Sequence, residues 1–131
     1  NKSYSKIYLK GVSLGANIIL KYLGERNQVP LEVKSAIAVS VPCYLAGAAK
    51  ELHHFKNKLY HDRFLKHLKH RLKLKQEQFP DKLSEEQLNS IKTLLDFDNV
   101  YTARAHGFED ALDYYTRCSS LQLLTKIKTT R

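Results

Sequence analysis

Apolar and polar positions follow two different patterns along the chain, and the change falls near residue 42. Lys6-Ile7-Tyr8-Leu9-Lys10 is a short β-prone run that stops at Gly11, and small residues follow from Ser13 to Gly15. Ile18, Ile19, Tyr22 and Leu23 then recur at helical spacing, which predicts a helix over residues 16–22. Gly24 and Asn27 offer it a stop, and Pro30 breaks any continuation. Residues 33–41 read as a second strand. Within them Ala36-Ile37-Ala38-Val39 is an almost unbroken apolar run, the pattern of a parallel strand covered on both faces. Pro42 ends it. Strand, tight turn, helix, loop and strand make one βαβ unit.

From Cys43 the chain turns helical, basic and histidine-rich as far as about residue 78, with Leu65, Leu68 and Leu72 as an apolar stripe. Phe79-Pro80-Asp81 interrupts it. Ser84 and Gln87 form a capping box, which predicts a helix through Leu88, Ile91 and Leu95. Residues 97–107 read as a polar-aromatic connector. Residues 109–117 are again helical in pattern, with acids in the first turn and Arg117 in the last, as the helix dipole favours. Residues 121–127 form a weak apolar tail. The expected fold class is α/β, divided into a βαβ core segment (1–42), a helical insertion (43–107), and a return helix with its apolar tail (108–131).

Gly11-Val12-Ser13-Leu14-Gly15 sits where the first strand gives way to the first helix. A nucleophilic serine there stands proud of the sheet, on a cramped backbone whose neighbours two residues away must be small. Gly11 and Gly15 meet that need. Ser13 is the candidate nucleophile, and the Leu14 N–H, at the head of the helix, is the candidate oxyanion donor. The bland alternative is a βαβ turn with glycines for packing and Ser13 as a helix cap.

The flanks carry a resemblance. Gly11-Val12-Ser13-Leu14-Gly15-Ala16-Asn17 with Lys21-Tyr22-Leu23-Gly24-Glu25, and later Phe97-Asp98, Thr102-Ala103-Arg104, His106-Gly107-Phe108, Ala111, Asp113-Tyr114-Tyr115 and Cys118-Ser119, resemble the YheT-like branch of the α/β hydrolases. Ala16 departs from the pattern, where the family usually has a second glycine. The resemblance implies a partial α/β-hydrolase fold: a βαβ unit with the nucleophile elbow, plus a helical cap or lid. It implies a Ser–Asp–His triad in that chain order, with the aspartate and histidine beyond Arg131 and the earlier strands before Asn1. No aspartate or histidine of this chain is matched to a triad role. His106 is the one internal candidate for a base, and the chain order argues against it.

Charge enters because it is local. The formal net charge is +9, and residues 50–78 hold nine Lys or Arg against three acids, together with His53, His54, His61, His67 and His70. His67 and His70 lack a third ligand at metal spacing, so no metal or other cofactor is expected. A nucleic-acid surface needs more interleaved aromatics than Phe55, Tyr60 and Phe64 supply, and none is expected. A basic amphipathic helix touching anionic lipid fits better than either, and a solvated cap helix with its lysines outward is the prevailing reading. The two cysteines, Cys43 and Cys118, read as free, mostly buried thiols. No apolar run reaches membrane-spanning length and no leader is visible, which points to the cytoplasm.

The expected function is serine ester hydrolysis, esterase- or lipase-like or acyl transfer, on short- to medium-chain acyl esters. A hydrolase fold serving as a non-catalytic scaffold is the alternative. The sequence leaves the oligomeric state open.

Overall fold

The computed structural model describes residues 4–128, which divide into two compact units. One comprises the chain up to Leu45 together with the segment from Arg117 onward; the other is Ala46–Thr116.

In the first unit, β1 (Ile7–Val12) and β2 (Val33–Val39) pair in parallel, in register from Tyr8 opposite Ser35 to Val12 opposite Val39. The α1 helix (Leu14–Glu25) joins them and packs against both strands. It starts two residues before the predicted range of 16–22, because the small turn residues are themselves helical. It also runs through Gly24, which does not stop it. A Cβ there would come within 2.6 Å of the Leu123 Cβ, so glycine lets the 3₁₀ turn Leu121–Lys126 lie close on α1. The weak apolar tail therefore has structure.

Among the described residues β2 is not covered on both faces. Ile37 is 56% exposed and Val39 42%, and Tyr8 and Val12 on β1 are exposed as well. Two strands and one helix supply a single layer of cover among the described residues, so the apolar run of β2 is left largely unburied. The strand also ends at Val39, two residues early, because Ser40 takes up a positive φ of 52°.

In the second unit, α2 (Leu45–Leu52, its first residue contributed by the first unit) and a 3₁₀ turn at Phe55–Asn57 precede α3 (Lys58–Gln78). The long basic helix of the sequence is thus two helices, broken around His53 and His54. The core lies where Leu65 and Leu72 of α3 meet Leu83, Leu88, Ile91 and Phe97. The α4 helix (Glu85–Ser90) carries the predicted capping box, with Gln87 N–H donating to Ser84 Oγ at 3.1 Å. It stops at Ser90, so Ile91 is its cap and Leu95 belongs to the next helix.

The expected connector is mostly helical. The α5 helix (Leu94–Phe97) opens on a second capping box, Thr93 with Asp96. A π-helical turn (Asp98–Thr102) and α6 (Ala103–His106) continue it to Gly107, whose φ of 74° ends the run. Phe97 and Tyr101, four residues apart, pack on the core, which stabilises helix over loop in a stretch rich in polar side chains. The last helix, α7 (Ala111–Cys118), runs from the second unit back into the first. Among the described residues no helix is long and apolar enough to cross a membrane.

Candidate active site

Ser13 is the single residue between β1 and α1, and its backbone has φ 52° and ψ −124°. L-residues rarely adopt such angles; they store on the order of 1–3 kcal/mol and persist only where surrounding contacts enforce them. Here three backbone bonds do so. Ser13 N–H donates to the Val39 carbonyl at the end of β2 (2.9 Å), and the Ser13 carbonyl accepts from Ala16 N–H (2.9 Å) and Asn17 N–H (3.2 Å). The result is an exposed hydroxyl at the carboxyl end of the sheet.

The hydroxyl makes no capping bond to the helix, although Ser13 holds the cap position. A serine present to cap the helix would accept a hydrogen bond from the second or third helical N–H. Ser13 is therefore not the side-chain cap of α1.

Leu14 is the first residue of α1, where backbone N–H groups have no intrahelical acceptor and the helix dipole favours negative charge. Its side chain is 45% exposed, so it does not bury the turn. Gly11 is buried, and a Cβ on it would lie 2.6 Å from the Gly15 carbonyl oxygen and 2.7 Å from Ala16 N, so only glycine fits. Gly15 is different: a Cβ there meets nothing within 4 Å. The steric argument from sequence holds for Gly11 and fails for Gly15, because the helix start turns Gly15 away from the strand that Gly11 occupies.

Asn17 is the residue that sequence reasoning passed over. It is 2% exposed; its Nδ2 donates to the Cys118 carbonyl (2.9 Å) and its Oδ1 accepts from Ser120 N–H (3.0 Å). The first turn of α1 is thereby clamped to a segment a hundred residues away. Ser119 Oγ accepts from Leu45 N–H (3.0 Å), and Leu121 N–H donates to the Cys43 carbonyl (3.0 Å). Ser120 Oγ is buried with no partner among the described residues. The signal was present: Asn17 directly follows the pentapeptide, and Cys118-Ser119 closes the later matching segment. Cys43 and Cys118 form no disulfide with each other and are half-buried rather than buried. Ser40, with φ 52° at the end of β2, is a second strained serine at the carboxyl edge of the sheet, and nothing in the sequence marks it.

His106, the internal candidate for a base, is an exposed residue at the end of α6 in the second unit. His61 is buried: its Nδ1 lies 3.2 Å from Asp62 Oδ1, and its Nε2 accepts from Leu94 N–H at 3.4 Å. Among the described residues no three His, Cys, Asp or Glu side chains cluster as metal ligands. Elsewhere in the second unit, the Tyr115 hydroxyl donates to Asp98 Oδ2 at 2.5 Å. Burial pushes the Asp98 carboxyl above its ordinary value despite hydrogen bonds from Tyr115 and Thr102, and burial beside Asp98 pushes the Tyr115 hydroxyl up as well.

Fold and site together define an α/β protein with a serine on a strained strand-to-helix turn. The chain is related to the YheT-like α/β hydrolases. It is 33% identical over 120 residues to the "Putative esterase YheT" of Escherichia coli, an alignment covering 89% of this chain and 35% of that protein. It is 31% identical over 132 residues to a monoacylglycerol lipase of Saccharomyces cerevisiae, covering 95% of this chain and 29% of the lipase. It is 27% identical over 117 residues to an abhydrolase domain-containing protein of Dictyostelium discoideum, covering 88% and 29%. The chain thus spans about a third of the length of the curated relatives it matches. No family model and no solved structure matches it.

Proposed function

We propose that this chain is the nucleophile-bearing part of a serine hydrolase that cleaves carboxylic esters, with residues 43–107 as its helical cap insertion. The carrying observation is Ser13 itself: strained at φ 52°, exposed, and free of the capping bond its position invites. Ser13 Oγ attacks the ester carbonyl and the Leu14 N–H helps hold the oxyanion. The alcohol leaves as the C–O bond breaks, carrying the proton taken from Ser13, and water then hydrolyses the acyl–Ser13 ester and restores the Ser13 hydroxyl. A histidine oriented by an acid takes the serine proton. Both belong to the two thirds of such proteins that this chain does not span. The esterase and lipase names of two relatives support the ester as substrate class. Short- to medium-chain acyl groups are the expected range, and transfer of the acyl group to an alcohol instead of water is the same chemistry with another acceptor.

The test is labelling of the full-length protein with a fluorophosphonate, beside turnover of a series of p-nitrophenyl esters. Covalent labelling and hydrolysis that both vanish in Ser13→Ala are expected. Labelling or hydrolysis that survives Ser13→Ala overturns the assignment.

A further inference from the structure

The α3 helix turns His61, Leu65 and Leu72 inward, and its outward face is unlike that of an ordinary solvated helix. Leu59 is 88% exposed, Tyr60 64%, Leu74 48% and Phe64 40%, and Phe55, just ahead of the helix, is 90% exposed. Single exposed apolar residues are commonplace, but a group on one element marks an interaction surface. Tyr60 and Phe64 are also stacked nearly parallel, with ring centroids 6.2 Å apart.

The cations on the same helix are equally distinctive. Among the described residues, Arg63, Lys66, Arg71 and Lys73 are in no ion pair. The acids nearby are already engaged: Asp62 binds Lys58 at 2.8 Å, and Glu51 binds Lys56 at 2.8 Å. Glu77, in the last turn, is the remaining acid of α3. On one flank a groove with Leu65 and Ile91 in its lining also gathers Lys66, Lys69 and Lys92, with Asp62 beside them.

We propose that the outward face of α3 docks on an anionic phospholipid surface. Phe55, Leu59 and Tyr60 enter the acyl boundary while Arg63, Lys66, Arg71 and Lys73 meet the headgroups. A helix of this length lies along about 30 Å of membrane. Charge complementarity selects an anionic partner, and the apolar side chains select lipid over nucleic acid. A polyanion in water gains nothing from exposed Leu59, Leu74 and Phe55, whereas an interface buries them. The proposal does not depend on the chemistry assigned to Ser13, and Ser13→Ala should bind vesicles like the unsubstituted protein.

The test is co-sedimentation of the full-length protein with phosphatidylcholine vesicles, with and without phosphatidylserine, across a salt series. Binding should require phosphatidylserine and weaken with salt. Replacing Arg63, Lys66 and Arg71 with Gln together should weaken it about a hundredfold, at about fivefold per charge. Leu59→Ser with Tyr60→Ser should weaken it at least about tenfold while leaving the salt dependence in place. Glu77→Lys should strengthen binding, a gain that no folding defect mimics. Equal binding to neutral vesicles overturns the proposal, as does a triple-Gln variant that still binds like the parent. Competition by transfer RNA, with binding insensitive to the Leu59 and Tyr60 changes, would make the surface a nucleic-acid site instead.

Discussion

Ser13→Gly should stabilise the protein while abolishing its labelling by a fluorophosphonate. The φ of 52° with ψ −124° lies where a Cβ is penalised and glycine is not. Relief of about 1–3 kcal/mol of strain is offset by the larger entropy that glycine loses on folding, about 0.5–1 kcal/mol. The net gain is about 0.5–2 kcal/mol. Ser13→Ala is the control that gives the argument its force. It removes the same hydroxyl but keeps the Cβ, and the hydroxyl caps nothing, so its stability should stay within about 0.5 kcal/mol of the parent. Urea unfolding of the three full-length proteins measures the difference directly. If Ser13→Gly is no more stable than Ser13→Ala, the turn is not strained and its angles are not maintained against an intrinsic preference. Stability given up at the residue proposed to react is the trade expected of a functional site.

Asn17→Ala removes two hydrogen bonds from a buried site and strips the buried Ser120 N–H of its acceptor, so it should lower stability by about 2–4 kcal/mol, read from denaturant midpoints. Gly11→Ala should lower stability by about 1–3 kcal/mol or more, since backbone atoms at 2.6–2.7 Å must move, while Gly15→Ala should be near neutral; equal losses at the two positions would contradict the distinction. Asp98→Asn should stabilise at neutral pH. The Asp98 carboxyl is raised in the fold, so native structure favours its protonated form; its stability contribution is present below the ordinary carboxylate value and lost as pH rises through the raised one. The parent and Asp98→Asn stability curves should therefore converge as pH falls toward and below the ordinary carboxylate range, and parallel curves would exclude the burial effect.

Much of the elbow was legible because its signal is local. The order strand, Ser13, helix follows from an apolar run ending at Gly11 and a periodicity beginning after Gly15, and both elements formed. The capping box at Ser84 was equally local and equally visible. What sequence missed depended on tertiary partners. Gly24 looks like a helix stop until Leu123 is seen against it. Residues 97–107 look like a connector because polar side chains mask the spacing of Phe97 and Tyr101. The apolar run of β2 signals a need for cover, yet periodicity cannot say which residues provide it. Asn17 reads as an unremarkable helix residue until residues 118–120 arrive beside it. Its role is long-range hydrogen bonding, which has no period.

Those long-range bonds explain how a strained turn coexists with a large helical unit inserted between its supports. The chain leaves the first unit after Leu45 and returns at Arg117. The two crossings are joined to each other, by Leu45 N–H on Ser119 Oγ and Leu121 N–H on the Cys43 carbonyl. With both ends fixed, the length and sequence of what lies between cost the first unit little, since loop-closure entropy grows only logarithmically with length. The same returning segment holds Asn17, and Asn17 N–H holds the Ser13 carbonyl. Strain at Ser13 of about 1–3 kcal/mol is thus opposed by three backbone bonds and, one residue removed, by a buried side-chain clamp, each bond contributing about 1 kcal/mol. Val39 and Ala16 alone would leave the balance close. The segment 118–120 tips it, which is why residues so far from Ser13 in sequence belong to the same device.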